Sequence, residues 1–81
     1  MKLNEIFAKR TKRLLMKKNW TQYQLSKRSA VPNSTLSNIL NCKGNTLTLE
    51  TCLNICRGLE ISIADFFNDE LFLPENIEDE E

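Results

Sequence analysis

The pattern of apolar positions along the chain predicts a protein built mainly from helices. From residue 3 to residue 18, apolar side chains recur at intervals of three, four and seven, without Gly or Pro, which is typical of one amphipathic helix. Its apolar positions are Leu3, Ile6, Phe7, Leu14 and Leu15. Thr21 is a good N-cap for a second, short helix that ends near Ser29 and Ala30. Pro32 separates this helix from the third, because proline disfavours helical geometry in the preceding residue and is tolerated where a helix begins.

Two more helices are predicted in the second half of the chain. Thr48 is expected to begin a fourth helix, and Ser62 is expected to cap a fifth helix from residue 63 to about residue 68. The inward stripe of the fourth helix is predicted to be Leu49, Cys52, Leu53, Cys56 and Leu59. In the fifth helix, Phe66 and Phe67 are expected to cover the core.

Size and composition favour one all-α domain. A chain of 81 residues, 41% of them apolar, can bury one compact core but not a second domain or a deep catalytic cavity. We therefore expect a compact five-helix domain over residues 1–68, followed by an acidic tail over residues 69–81 that is frayed or disordered beyond Pro74. The N-terminal stretch carries recurring charges and lacks the apolar run of a signal peptide or membrane span, so we expect a cytoplasmic location without membrane contact.

The formal net charge of zero conceals a strong asymmetry. Residues 1–45 contain ten of the eleven Lys and Arg residues against Glu5 alone, a net charge of +9, whereas residues 60–81 contain nine acids and no base. This split indicates a basic body able to approach phosphates and an acidic tail that repels them or serves another protein. Solvated protein faces also give such patterns, so charge alone favours nucleic acid only modestly.

Candidate catalytic and metal-binding chemistry is missing from the sequence. There is no His, no glycine-rich phosphate loop and no set of acids beside a nucleophile, so an enzyme, a metal site and a cofactor are not expected. The three cysteines are an odd number, which does not fit a disulfide framework. Cys52 and Cys56 are spaced like neighbours on one helix face and are expected to be small buried residues.

The third helix, residues 33–41, has a polar side without charge. At about 100° per residue it directs Leu36, Ile39 and Leu40 to one side. The other side consists of Asn33, Ser34, Ser37, Asn38 and Asn41. An ordinary solvated face usually carries Glu and Lys, which are better helix formers than Ser, Thr and Asn. Asn offers a donor and an acceptor that fit an adenine edge, so a short helix pair with this face favours reading of a DNA major groove.

Several segments resemble a known family in their order and spacing. Residues 20–26 (Trp-Thr-Gln-Tyr-Gln-Leu-Ser) and residues 31–39 (Val-Pro-Asn-Ser-Thr-Leu-Ser-Asn-Ile) are similar to its two DNA-binding helices, and residues 48–53 and 59–63 to later elements. Over residues 20–67 the chain resembles the lambda-repressor and Cro-like (XRE-type) helix-turn-helix family. This resemblance implies a five-helix domain that binds double-stranded DNA, as a homodimer on palindromic half-sites about 34 Å apart.

The resemblance also implies which residues contact DNA. Those facing base edges would be Asn33, Ser34 and Asn38, with Thr35 and Ser37 near the backbone or adjoining bases. Those contacting phosphate would be Thr21, Gln22, Asn41, Lys43 and Asn45. Gln22 would in addition brace the recognition helix. Four basic residues would attract DNA through their electrostatic field more than through direct contact. They are Lys17, Lys18, Lys27 and Arg28. Trp20 is expected in the core, and the Tyr23 hydroxyl is expected at the surface or on a phosphate.

Three positions depart from the family pattern. Ala30 replaces a frequent Gly, which implies either a left-handed Ala or a slightly different turn. Leu15 and Leu40 occupy positions that often hold a buried Arg and Glu, so we predict that the two leucines contact each other. Glu60 also replaces a frequent Gly, in the turn after the fourth helix.

The function expected from these observations is transcriptional regulation, most simply by a repressor. An antitoxin that binds its operator and, through the acidic tail, a basic toxin is one alternative. A protein-interaction module that has lost DNA binding is another. Apolar material for a dimer contact is available in Phe66, Phe67 and residues 71–73, with core closure as an equal alternative for these residues.

Overall fold

Five α-helices follow one another along the chain, joined by short connections. The computed structural model describes residues 1–43 and 47–78. The helices are α1 (Leu3–Lys18), α2 (Gln22–Ser29), α3 (Asn33–Leu40), α4 (Leu49–Gly58) and α5 (Ile63–Phe67), followed by 3-10 helices at Glu70–Phe72 and Pro74–Asn76. The predicted all-α, five-helix architecture is therefore confirmed. In the described part of the chain, no helix is long and apolar enough to cross a membrane.

Side-chain caps fix where α2, α4 and α5 begin. The Thr21 hydroxyl accepts a hydrogen bond from the Gln24 backbone N–H, and the Gln24 side-chain oxygen accepts one from the Thr21 N–H at 2.7 Å. Thr48 and Ser62 cap the later helices in the same way, each accepting a hydrogen bond from an N–H three residues on. All three predicted caps are confirmed, because each hydroxyl satisfies a helix N–H that has no partner within the helix.

The core lies between α1, α2 and α4 and is closed by α3 and α5. Its fully buried side chains include Leu25, Leu36, Ile55, Leu59 and Phe66. Leu15 and Leu40, predicted to contact each other, are both buried in this one cluster. Neither side chain points to solvent, as the predicted contact requires, and the contact itself stays a prediction.

A group of phenylalanines closes the core at α5. The ring of Phe66 lies 4.8 Å from that of Phe7 and 5.0 Å from that of Phe67, measured between centroids. Phe72, from the first 3-10 helix, packs against Phe67 at 4.8 Å. These separations are typical of favourable aromatic contacts within a core. Phe66 therefore closes the core, whereas Phe67 and Phe72 pack against it and remain half-buried.

The predicted inward stripe of α4 was wrong at its first position. Leu49 is 87% exposed, Leu53 is half-buried, and the fully buried Ile55 takes part in the stripe instead. Cys52 and Cys56 are buried as predicted. Periodicity predicts which side of a helix a residue lies on, but not whether another segment packs there. Leu49 is the first residue of α4, and at 87% exposure it is not covered by the described residues.

The expectation that the chain is frayed beyond Pro74 is wrong for residues 75 to 78. The Asn76 side chain donates a hydrogen bond to the Glu70 carbonyl at 2.7 Å, and the Glu78 N–H donates one to the Met1 carbonyl at 2.9 Å. Arg10 on α1 holds the start of the segment, with Nη1 lying 3.3 Å from the Asp69 carboxylate. Residues 79–81, also expected to be frayed, lie outside the described residues.

Candidate nucleic-acid interface

The turn between α2 and α3 is held by short-range hydrogen bonds. The Ser26 hydroxyl donates to the Val31 carbonyl at 2.6 Å, and the Val31 N–H donates to the Ser29 hydroxyl at 3.2 Å. Ala30, which lies between Ser29 and Val31, adopts the left-handed conformation, with φ of 59°. Of the two possibilities for Ala30, the left-handed one is therefore correct, at a cost of about 1 kcal/mol relative to Gly.

A close approach between α2 and α4 sets the position of this helix pair. Gly58 lies directly against Ser29, so that a Cβ added at Gly58 would be 2.7 Å from the Ser29 Cβ and 2.9 Å from its backbone N. Such separations are far below van der Waals contact, and only Gly fits here. The C-terminal end of α2 therefore packs directly against α4. This contact also positions the turn that leads into α3.

The two sides of α3 differ as the sequence predicts. Leu36, Ile39 and Leu40 are buried in the core. Of the residues predicted to read bases, three are exposed and two are half-buried. The exposed ones are Asn33, Ser34 and Asn38, and the half-buried ones are Thr35 and Ser37. The chain's own core therefore leaves the polar side of α3 accessible.

Gln22 joins the first turn of α2 to the first turn of α3. Its side-chain Nε2 donates to the Asn33 side-chain Oδ1 at 3.0 Å and approaches the Asn33 backbone carbonyl at 3.4 Å. This is the bracing contact implied by the family resemblance. Because the Asn33 oxygen accepts from Gln22, the Asn33 NH₂ group is the part of its amide left to donate outward.

The residues predicted to contact phosphate are placed less uniformly. The Thr21 hydroxyl is used in the α2 cap, and the Asn41 amide donates to the Ser37 carbonyl at 2.8 Å and to its hydroxyl at 3.3 Å. Lys43 is exposed after the end of α3. Asn45 lies outside the described residues. Contacts of these residues with DNA remain predictions.

Neither α2 nor α3 carries an acidic residue. No acidic residue occurs between Glu5 and Glu50, a stretch that contains both helices. The N-terminal turns of α2 and α3 contain no acid, so the partial positive charge of each helix N-terminus is not offset locally. An anion approaching the paired N-termini meets no like charge from these helices.

Contacts of cations with two aromatic rings, Trp20 and Tyr23, were not predicted from the sequence. Trp20 packs against the core, as expected, but it also carries the Arg28 guanidinium 4.2 Å from its ring centroid and the Lys18 ammonium 5.0 Å from it. The Lys27 ammonium lies 4.8 Å from the ring centroid of the exposed Tyr23. The contact of Lys27 with Tyr23 has a sequence signal, because residues four apart are neighbours on a helix surface.

A braced helix pair with an exposed amide and hydroxyl face and without acidic residues defines a helix-turn-helix DNA-binding protein. The sequence matches the family described as "Cro/C1-type HTH DNA-binding domain" over residues 10–71, and the chain belongs to this family. The predicted family is confirmed, and with it a domain for DNA binding and transcription regulation.

A solved structure of similar fold supports the same assignment. The wild-type restriction-modification controller protein C.Esp1396I is similar to this chain with a TM-score of 0.75 and 29% sequence identity, over 80% of this chain and 83% of that chain. The comparison with curated proteins gave no match.

Proposed function

We propose that this protein is a sequence-specific transcriptional regulator, acting as a repressor, that reads the DNA major groove with residues 33–41. The observation that carries the proposal is the exposure of Asn33, Ser34 and Asn38 on a helix whose opposite side is buried in the core. The similarity to a restriction-modification controller protein supports a role in regulation.

Binding would proceed from a general attraction to a specific contact. The basic part of the chain draws the protein to the phosphates, a contribution that weakens steeply with salt. Asn38 then pairs with an adenine edge through both parts of its amide, while Asn33, whose oxygen is held by Gln22, donates its N–H to an acceptor such as guanine O6 or thymine O4. A protein seated in this way represses by excluding other proteins from the same duplex.

The active form would be a two-fold dimer. One helix reads few base pairs, and two half-sites on one face of the duplex lie about 34 Å apart. We place the contact at an apolar groove of about 180 Å³ between the N-terminal parts of α1 and α4 and the last residue of α5. It is lined by Leu3, Phe7, Leu47, Leu49, Cys52 and Phe67.

Selection of bound fragments from random DNA, at two salt concentrations, tests the proposed DNA binding. We expect a palindromic consensus, and Asn38→Ala should lose about 1–3 kcal/mol on that consensus while keeping its affinity for unrelated DNA. Asn68→Ala is the matched control, since Asn68 is an exposed asparagine after α5, and it should bind as the original protein does. Failure to select any fragment would instead support a protein-interaction module.

The dimer is tested by sedimentation with two matched substitutions of exposed apolar residues. Leu49→Gln, in the groove, should weaken self-association, whereas Met16→Gln, on the 80% exposed Met16 of α1, should not. A protein that is monomeric when free and stays monomeric on a palindromic site would contradict the dimer.

A further inference from the structure

An exposed tyrosine and a lysine form a pair on the outer side of α2. Tyr23 is 58% exposed, and the Lys27 ammonium lies 4.8 Å from its ring centroid, one turn further along the helix. Tyrosine is a weaker helix former than Gln, Glu or Lys, so it is not the residue that helix stability alone would favour at an exposed position. The ring limits the positions open to the ammonium and so reduces the entropy that Lys27 would lose on binding a ligand.

The position of this pair relative to the recognition helix follows from Gln22. Gln22 precedes Tyr23 directly and contacts Asn33 at 3.0 Å, which sets the first turn of α2 beside the first turn of α3. A duplex whose bases are reached by Asn33 and Asn38 must carry its sugar-phosphate strand past the first turn of α2. Tyr23 is in that turn, and Lys27 is held over its ring, about 6 Å along the helix axis.

Unlike Arg28 on the same helix, Lys27 has no acidic partner among the described residues. Arg28 stacks on Trp20 and lies 3.8 Å from the Glu60 carboxylate, and Arg10 pairs with Asp69 at 3.3 Å. Within residues 1–43 and 47–78, the ion pairs do not include Lys27. Since α2 and α3 contain no acid, no carboxylate on either helix competes with a phosphate for this ammonium.

We propose that Tyr23 and Lys27 bind one DNA phosphate that flanks the bases read by α3. This inference rests on the proposed function and deepens it, because it assigns a direct contact to a lysine that was expected to contribute through its electrostatic field more than through contact. The Lys27 ammonium and the Tyr23 hydroxyl each donate to the phosphate oxygens, as Lys and Tyr side chains commonly do in protein–DNA interfaces. The contact would fix the register of α3 without carrying sequence information itself.

The salt dependence of binding separates a phosphate contact from a general field. Affinity for the selected duplex is measured over a range of salt concentrations for Lys27→Gln, Tyr23→Phe and the control Lys12→Gln. Lys12 is an exposed lysine of α1, so its substitution removes the same charge outside the helix pair. Lys27→Gln should lower affinity about tenfold and reduce the slope of log K against log salt by about 0.9. Tyr23→Phe should lower affinity several-fold with little change in slope, and Lys12→Gln should change the slope least.

A scan with single methylphosphonate linkages, which remove the charge of one phosphate at a time, locates the contact. At one flanking position, a methylphosphonate should lower the affinity of the original protein and of Asn38→Ala. The same methylphosphonate should leave the affinity of Lys27→Gln unchanged, because that variant has already lost the contact. All variants should keep the circular dichroism of the original protein, because the substituted side chains are exposed.

The outcomes distinguish the contact from the function on which it rests. If the duplex is bound but Lys27→Gln matches Lys12→Gln in slope and responds to every methylphosphonate as the original protein does, the contact is overturned and the proposed function stands. If no duplex is selected at all, the proposed function fails and the contact fails with it.

Discussion

The side-chain amide of Gln22 donates to the side-chain oxygen of Asn33 at 3.0 Å, which joins the N-terminal turns of α2 and α3. The bond couples two tasks that would otherwise be separate. It ties the first turn of α2 to that of α3, and it leaves the Asn33 NH₂ group as the part of the amide able to donate to a base. Both consequences can be tested by changing Gln22 alone.

Replacing Gln22 by Glu should weaken DNA binding more than replacing it by Ala. A carboxylate cannot donate to the Asn33 oxygen, and it places a negative charge beside phosphate, whereas Ala only removes the brace. We expect a loss of about 1 kcal/mol for Gln22→Ala and of about 2–3 kcal/mol for Gln22→Glu, measured by fluorescence anisotropy on the selected duplex. Equal losses for the two variants would show that Gln22 does not lie near phosphate, and no loss in Gln22→Ala would show that the brace does not support binding.

Replacing Ala30 by Gly should stabilise the protein. Ala30 has φ of 59°, where a Cβ is unfavourable and Gly is not, and its exposed side chain is no part of the core. The expected gain in the free energy of unfolding is about 1 kcal/mol, measured by urea denaturation. Ala64→Gly, at a helical position of α5, is the matched control and should cost about 0.5–1 kcal/mol. A loss of stability in Ala30→Gly would contradict the strained turn.

The features that the sequence predicted correctly are those with local causes. Thr21, Thr48 and Ser62 act on N–H groups only a few residues away, and Pro32 restricts its immediate neighbour, so helix starts could be placed without tertiary information. The polar side of α3 could also be predicted locally, since the rotation of about 100° per residue places it opposite Leu36. Local causes of this kind operate in any chain that contains these residues.

The features that were missed depend on contacts between distant segments. Arg10 holds Asp69 across the chain, and Phe72 packs on Phe67, which together order a segment whose acidic composition indicates disorder. Leu49 was missed for the opposite reason. Its apolar character predicts burial, but none of the described helices packs over it. The brace between Gln22 and Asn33 was foreseen only through the family resemblance, since nothing in residue spacing relates two positions eleven apart on different helices.

The buried thiol of Cys56 should make stability fall in alkaline solution. Burial, with a smaller contribution from the neighbouring Cys52, raises the pKa of Cys56 from 9.0 to about 11. The unfolded chain therefore loses its thiol proton first, so the contribution of this group to stability is complete below pH 9 and is lost as pH rises towards 11. Urea denaturation at a series of pH values should show this loss, and Cys56→Ala should make the dependence on pH shallower.

Alkylation with iodoacetamide provides the control for that interpretation. In the folded protein near neutral pH only the exposed Cys42 should react, whereas Cys52 and Cys56 should react only after unfolding. Modification of Cys56 in the folded protein, identified by mass spectrometry of its peptides, would show that it is not shielded and that another group causes the alkaline loss.

Replacing Gly58 by Ala should destabilise the protein although Ala is the better helix former. The gain from helix propensity is about 1 kcal/mol, but the new Cβ would lie 2.7 Å from the Ser29 Cβ and 2.9 Å from its backbone atoms. Backbone cannot yield as a flexible side chain does, so α2 must move away from α4, and we expect a net loss of about 1–3 kcal/mol.

The loss in Gly58→Ala should extend from stability to DNA binding, because displacement of α2 also displaces the turn into α3 and the Gln22 brace. Affinity for the selected duplex should fall even at temperatures where circular dichroism shows the variant fully folded. Arg57→Ala, at the exposed adjacent position of α4, should stay within about 0.5 kcal/mol of the original protein in stability and so serves as the control. A Gly58→Ala protein that is as stable as the original and binds DNA equally well would show that the contact between Gly58 and Ser29 does not set the position of the helix pair.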